Sequence, residues 1–365
     1  MNYNSTLLNT FAAMLMEITF SEFLNKSEPL PLIDVRSPGE YQKGHIPGAH
    51  NIPLFSNEER AHVGTVYKKE SKERAMELGY SYVAPKLDWF ISESNKVAPS
   101  GNVAVHCWRG GMRSRSFAQH LKENGFRNVY VITGGYKAFR NYALEAFKTD
   151  AEICVLGGYT GSGKTHILNV LKEMGEQVID LETLARHKGS AFGGIGMGAQ
   201  PTIEQFENDL FWIWKELDYS KTIWLEDESH RIGNVNIPMS FFVNMRSSPV
   251  IFIDIPKEER IKQLVKEYAQ ADNKKLADSI VRISKRLGGL NTKNALDHLD
   301  KGSYSEVAMI TLNYYDKFYL KRIQEREDDS VYMLEIAKLD FTKNAGQILE
   351  YYGSIREKQY KTNTI

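Results

Sequence analysis

Two short stretches hold residues able to do chemistry. In "VHCWRGGMRSRS", residues 105–116, Cys107 follows an apolar run and precedes two glycines and three arginines. In a tight loop of this kind successive backbone N–H groups turn toward one point. A helix starting near Ser114 adds the positive end of its dipole. Gly110 and Gly111 relieve steric limits on the turn, and Arg109 and Arg113 add full charge. All of this favours thiolate over thiol, so Cys107 is expected to ionise below the ordinary thiol value. The same cradle would hold an anionic group on, or approaching, the sulfur. A Cys-x5-Arg loop taken alone also suits a protein phosphatase, in which the cysteine attacks phosphorus.

The second stretch is "GYTGSGKT", residues 158–165. It matches Gly-x-x-x-x-Gly-Lys-Thr, follows the apolar run "ICVL" and precedes the helical pattern "HILNVLKEM", the context that motif needs. Backbone N–H groups from Gly158 through Gly163, with Ser162 among them, would wrap phosphate oxygens. Lys164 would reach the terminal phosphates, and Thr165 could hold Mg²⁺. No metal ligand set is assigned beyond that possibility.

An acidic strand end is the usual companion of such a loop, and "TIWLEDESHRIG" (222–233) offers one. Asp227 and Glu228 are the candidates, with Glu226 beside them. Strand alternation sends Asp227 one way and Glu226 and Glu228 the other. Between loop and acids, "DLETLARHKGSAFGGIGMGAQP" (180–201) gathers Arg186, His187 and Lys188 beside a glycine-rich run that could close over an anion. Cys154, inside the strand before the phosphate loop, reads as core.

The elements that must position these residues alternate. "PLIDVRS" (31–37), "VAVHC" (103–107) and "NVYVITGG" (128–135) read as strands, with helical patterns at "SEFLNK", "VAPKLDWFISESN" and "SRSFAQHLKENGF". Gly125 reads as a helix stop. A second alternating set follows: "EICVLGG" (152–158), "QVIDL" (177–181), "TIWLED" (222–227) and "PVIFIDI" (249–255), with an amphipathic helix over 201–217. From 256 to about 327 helix formers and charges dominate. The expected fold class is α/β: a parallel-sheet domain over 1–148, then a phosphate-loop α/β domain over 149–365 with a helical C-terminal extension.

The 365 residues allow two such domains, and the composition is that of a globular protein, 42% hydrophobic and 25% charged. Two cysteines and no Cys-x-x-Cys pair point to free thiols in a reducing cytoplasm. The apolar "LLNTFAAMLMEITF" is interrupted by Glu17 and too short to span a bilayer. It reads as a short helix or loose extension, and no membrane association is expected. With 46 basic and 46 acidic residues the formal net charge is zero. A nucleic-acid partner would therefore have to use a local basic patch. Lys274, Lys275, Arg282, Lys285 and Arg286, within 274–286, are the candidates. Tyr314, Tyr315 and Tyr319 could stack on a base but read more simply as helix packing.

The segment "DVRSPGEYQKGHIPGAHNIP" (34–53), with "HCWRGGMRS" and "GGYKAF" (134–139), closely resembles the ordered signatures of rhodanese domains. That resemblance implies a domain carrying sulfur, or its heavier congener, on Cys107. Asp34 and Arg36 then read as internal polar support for the loop, His45 as a turn-stabilising residue, and His106 as pointing away from the nucleophile.

Fused to a phosphate-loop domain, and with "DLETLARHKGSAFG", "QPTIEQFEN", "EDESHRIGNVNIP" and "LNYYDKFY" (312–319) as further matching stretches, the whole chain resembles the bacterial tRNA 2-selenouridine synthase family. The resemblance implies a transferase acting on tRNA bearing 2-thiouridine at the wobble position. Selenophosphate would donate selenium and geranyl diphosphate a prenyl group, with no tightly bound cofactor and Arg186 assisting Lys164 on the diphosphate. Two other readings fit the motifs less fully. One is a sulfurtransferase fused to a nucleotide-hydrolysing or kinase domain; the other is a nucleotide-gated binding module, which would have no use for an activated thiol.

Overall fold

The computed structural model describes residues 15–326 and 330–362. Residues 7–14 of the apolar N-terminal stretch lie outside them. The chain divides into two units, 1–145 and 146–365.

The first unit is a five-stranded sheet in which every pair is parallel. Its strands are β1 (Met16–Ile18), β2 (Leu32–Asp34), β3 (Ala49–Asn51), β4 (Asn102–His106) and β5 (Asn128–Ile132), in the spatial order β1-β5-β4-β2-β3. Met16–Ile18, near the end of the N-terminal stretch, are thus a strand, where a short helix or loose extension running into the first strand was expected. Met16, Glu17 and Ile18 pair with Tyr130, Val131 and Ile132, which gives the outer edge of β5 a partner for its backbone groups. Helices run over Met112–Glu123 and Gly135–Ala146, with Gly125 at φ +94° just beyond the first of them.

Two further helices, Asn57–Lys69 and Lys72–Val83, fill a stretch in which the sequence had singled out no element. Ser56 and Glu59 cap the first reciprocally: Glu59 N–H donates to Ser56 Oγ at 3.2 Å and Ser56 N–H to Glu59 Oε2 at 2.8 Å. The core is built from the apolar runs of β2 and β4 against Phe90, Phe117, Leu121 and Phe126.

The second unit repeats the principle. Its strands are β6 (Ile153–Gly158), β7 (Gln177–Ile179), β8 (Ile223–Glu226), the short ribbon β9 (Arg231–Ile232) and β10 (Val235–Asn236), β11 (Val250–Asp254) and β12 (Val331–Glu335). The main sheet is parallel in the order β12-β11-β6-β8-β7, so β6 is central. Helices from Lys257 to Gln324 form the expected extension. Beyond it the chain returns to the sheet, where β12 pairs along β11 from Val250↔Val331 to Asp254↔Glu335, and the helix Phe341–Thr362 follows. Among the described residues no helix is long and apolar enough to cross a membrane.

Candidate functional sites

In both units the chemistry-bearing loop leaves the carboxyl end of an interior strand, where parallel sheets present ligand sites. Cys107 follows β4 directly, and the helix Met112–Glu123 begins five residues later. Gly110 has φ +63°, and a Cβ there would lie 2.3 Å from the Ile132 carbonyl oxygen. Any side chain is excluded by both angle and space. Gly111 differs: its φ is −96° and nothing would crowd a Cβ, so packing does not require glycine at that position. The segment 134–139 braces the loop from behind, with Tyr136 N–H donating to the Cys107 carbonyl at 2.9 Å and Lys137 N–H to that of Trp108 at 3.0 Å.

The Cys107 Sγ lies 3.2 Å from Ser114 Oγ, and the hydroxyl also contacts the Gly111 carbonyl at 3.1 Å. Burial works against ionisation of this thiol. The Ser114 hydroxyl, the Arg113 guanidinium and the backbone N–H groups of Ser114 and Arg109 work for it, and the balance holds the thiol below its ordinary value. Arg113 is oriented by Glu40, to which it donates at 2.8 and 3.3 Å. Arg109 acts on the sulfur through its backbone, and its side chain is exposed. Ser114 and Glu40 were not singled out from sequence. The "SPGE" capping pattern was the available signal for Glu40, whose carboxylate also accepts from Ser37 N–H at 3.1 Å.

Asp34 and Arg36 are fully buried and joined by three contacts of 2.6–3.0 Å from the guanidinium, which also reaches the Gly44 carbonyl at 2.8 Å. Arg36 lies 3.7 Å from the Tyr136 ring centroid. This is structural support beneath the loop. His106 is fully buried and directed at Asp34, and burial holds its imidazole below the usual value. His45 binds the Tyr41 carbonyl at 3.0 Å and stacks on the Tyr41 ring, stabilising its turn.

Cys154 is fully buried, and burial pushes its thiol well up. The two cysteines should therefore separate cleanly with iodoacetamide near neutral pH: Cys107 is expected to label at least tenfold faster, read by peptide mass spectrometry. Equal, slow labelling of both would contradict an activated Cys107.

The phosphate loop runs from the end of β6 into the helix Lys164–Glu173. Gly161 (φ +82°) and Gly163 (φ +71°) take left-handed backbone, and Ser162 Oγ ties the turn to the Tyr159 carbonyl at 2.7 Å. Lys164 Nζ donates to the Gly158 carbonyl at 2.9 Å, and no carboxylate of the described residues forms an ion pair with it. It stands 5.5 Å from the Tyr319 ring centroid, which gives Tyr319 a place at this site that packing arguments had missed. Arg260, nearly fully buried, supports the loop: it pairs with Asp316 at 2.8 and 3.0 Å and reaches the Thr160 carbonyl at 3.2 Å.

Thr165 Oγ1 donates to Glu182 Oε2 at 2.9 Å. Burial raises the Glu182 carboxyl, with Lys164 and Thr165 opposing. Glu182, Glu226 and Glu228 gather on this side of the sheet, linked electrostatically to one another. Asp227 turns the other way. It accepts a 2.7 Å hydrogen bond from the buried Arg326 and faces Arg246 at 3.9 Å, so it serves the packing of the unit rather than the phosphate loop. Strand alternation separates Asp227 from Glu226 and Glu228, and only the fold identifies the side that carries the loop.

Glu226 is fully buried. Its Oε2 accepts from Leu181 N–H at 3.2 Å, while Oε1 has no partner among the described residues. Burial, followed by the charges of Asp180 and Glu182, pushes its carboxyl well above the usual range. The folded state thus holds this proton more tightly than the unfolded chain. Stability contributed by the protonated form is complete below the ordinary carboxylate value and is lost as pH rises toward the raised one. Glu226→Gln removes that dependence. The variant is expected to gain on the wild type by about 1.4 kcal/mol for each pH unit crossed in that window. Urea unfolding at a series of pH values checks this, and a pH-independent difference would refute it.

The glycine-rich segment is held at both ends. Arg186 has φ +49° and donates to the Ala199 carbonyl at 3.1 Å. Lys188 pairs with Glu267 at 2.9 Å, so its charge is already matched. Arg282, a candidate for nucleic-acid contact, donates to the Ala191 carbonyl at 3.2 Å and so anchors this segment. Lys274, Lys275, Lys285 and Arg286 are exposed, and Arg286 also reaches the Tyr314 hydroxyl at 3.4 Å. Tyr315 is buried in the helical cluster and packs there.

Residues 151–340 match the family model described as the tRNA 2-selenouridine synthase AAA domain, and residues 19–142 match the rhodanese-like domain. A tRNA 2-selenouridine synthase of Bdellovibrio bacteriovorus is 36% identical over 348 residues, covering 81% of this chain and 90% of the relative. That of Hydrogenovibrio crunogenus is 34% identical over 360 residues, covering 88% and 94%. The crystal structure of the N-terminal domain of a putative ATP/GTP binding protein from Clostridium difficile 630 is 39% identical. It covers 36% of this chain and 99% of that one, at a TM-score of 0.34.

Proposed function

The chain belongs to the tRNA 2-selenouridine synthase family, and from that premise we propose that it converts 2-thiouridine to 2-selenouridine at the wobble position of tRNA. It is an enzyme of tRNA modification. In our reading selenophosphate is the selenium donor, and geranyl diphosphate first alkylates the 2-sulfur. Alkylation matters because it turns a poor leaving group into a better one. The observation that carries this reading is the presence of two anion cradles of different chemistry in one chain. One has an activated thiol at its centre, and the other has an ammonium with no ion-paired carboxylate among the described residues.

The phosphate loop would grip the diphosphate of the prenyl donor. Its N–H groups and Lys164 would stabilise the charge that grows on the departing diphosphate, a role of the oxyanion-hole type. Arg186 would add to this from the glycine-rich segment. No group of three or more His, Cys, Asp or Glu of metal-binding geometry occurs among the described residues. Thr165 and Glu182 nevertheless supply two hard oxygen donors side by side, which suits Mg²⁺ held mainly by substrate phosphates and water. Bound there, Mg²⁺ would offset diphosphate charge. Cys107 would serve selenium delivery in the first unit, with selenophosphate held by the loop N–H groups and Arg113; the selenium would displace the geranyl thiolate from C2 of the base, and water would take the phosphoryl group as phosphate. Lys274, Lys275, Lys285 and Arg286 are our candidates for tRNA phosphate contacts.

The test is nucleoside mass spectrometry of tRNA from cells lacking and regaining this gene. Loss of 2-selenouridine that returns on complementation is expected. Unchanged 2-selenouridine without the gene would sink the assignment. Steady hydrolysis of ATP or GTP, with no dependence on geranyl diphosphate, would favour a sulfurtransferase fused to a nucleotide-hydrolysing domain.

A further inference from the structure

A cavity of about 560 Å³ opens over Cys107 within the first unit. Its floor is the cysteine loop, and its walls come from the helices Asn57–Lys69 and Lys72–Val83. A volume of this size accommodates a drug-sized molecule, whereas a phosphate-like anion has only five heavy atoms. The walls are mostly carbon, from Val63, Tyr67, Met76, Tyr80 and Phe90, with Arg60, Lys68 and Lys72 of the wall helices as charged groups among them.

Tyr67, Met76 and Tyr80 are 59, 49 and 68% exposed, and all three border this one cavity. Large apolar side chains gathered at one opening mark a binding surface. Gly64, in the middle of the first wall helix, keeps the wall low. A Cβ there would meet only the flexible end of Arg60, so packing against rigid atoms does not explain the glycine.

We propose that this cavity is a subsite for a large hydrocarbon group carried on the sulfur of the substrate that reaches Cys107. Resting on the function proposed above, that group is the ten-carbon prenyl chain of S-geranyl-2-thiouridine. Burying the chain in the cavity would bring its thioether sulfur to the mouth of the cysteine loop, beside the cradle for the anionic donor.

Equilibrium dialysis of the full-length protein against S-methyl-, S-butyl- and S-geranyl-2-thiouridine nucleosides tests the subsite. Affinity is expected to rise at least tenfold from methyl to geranyl, as expected for burial of added hydrocarbon. Gly64→Leu, which fills the cavity, and Met76→Asp, which charges its wall, should each remove most of that gain while melting like the wild type. Lys164→Ala, at the other cradle, should keep it. The subsite is overturned by equal affinity for the methyl and geranyl compounds. It is also overturned if the gain persists in both well-folded cavity variants, or if it disappears in Lys164→Ala alone. The measurement needs no turnover. Absent chain-length dependence beside normal 2-selenouridine in cells refutes the subsite alone, whereas cells indifferent to the gene refute the function alone.

Discussion

Lys164→Ala is expected to lower prenyl transfer to tRNA by roughly a hundredfold or more. The side chain is held at the start of the helix Lys164–Glu173 by the Gly158 carbonyl, 2.9 Å from Nζ, with its charge unmatched by an ion-paired carboxylate of the described residues. A charge-assisted contact to a leaving diphosphate in a closed site is worth on the order of 2–4 kcal/mol in the transition state. Alanine removes the charge and leaves the loop glycines, Ser162 and Thr165 in place, so loss of rate rather than loss of fold is the expected signature. If alkylation precedes selenation, the variant should also fail to make 2-selenouridine from thiouridine tRNA. Given already geranylated tRNA and selenophosphate it should recover much of that step. Mass spectrometry of digested tRNA from the two reactions reads both outcomes. Conversion of thiouridine tRNA at the normal rate would break the sequential scheme.

Cys107→Ser should show the converse pattern. Serine conserves the size of the side chain and its partner Ser114, and the loop keeps Arg113 and its N–H groups. The thiolate alone is lost, and a serine hydroxyl at neutral pH is a far weaker nucleophile. Selenation is expected to fall by about a thousandfold or more, and geranylated tRNA to accumulate, because the phosphate loop is untouched. tRNA affinity should stay within about twofold of the wild type. Normal selenation by the serine variant would remove Cys107 from the chemistry.

Both loops were legible before any fold was known, and for one physical reason. An anion cradle of this kind is made by consecutive backbone N–H groups between a strand and a helix, so its determinants occupy a few adjacent residues. Gly110 illustrates this: its left-handed backbone and the 2.3 Å approach to Ile132 require glycine, and glycine is what marks the loop in the sequence. The strands β2, β4, β6, β8 and β11 were equally visible, since strands of parallel sheets covered on both faces read as unbroken apolar runs.

The partners of the loops were decided only by tertiary structure. Arg113 is set by Glu40, 73 residues away, and Arg260 braces the phosphate loop through Asp316, 56 residues away. Asp227 shows the limit most plainly. Alternation on β8 separates it from Glu226 and Glu228, but its partner Arg326 lies 99 residues further along, so the sheet order decides which face meets the phosphate loop. The edge strands β1 and β12 are similar cases. The pairing of each is imposed by a neighbour distant in the chain. The cavity over Cys107 was wholly outside the reach of the sequence. Its walls are two helices with weak apolar patterns, and they show no regular buried stripe because part of their apolar surface faces the cavity instead of the core.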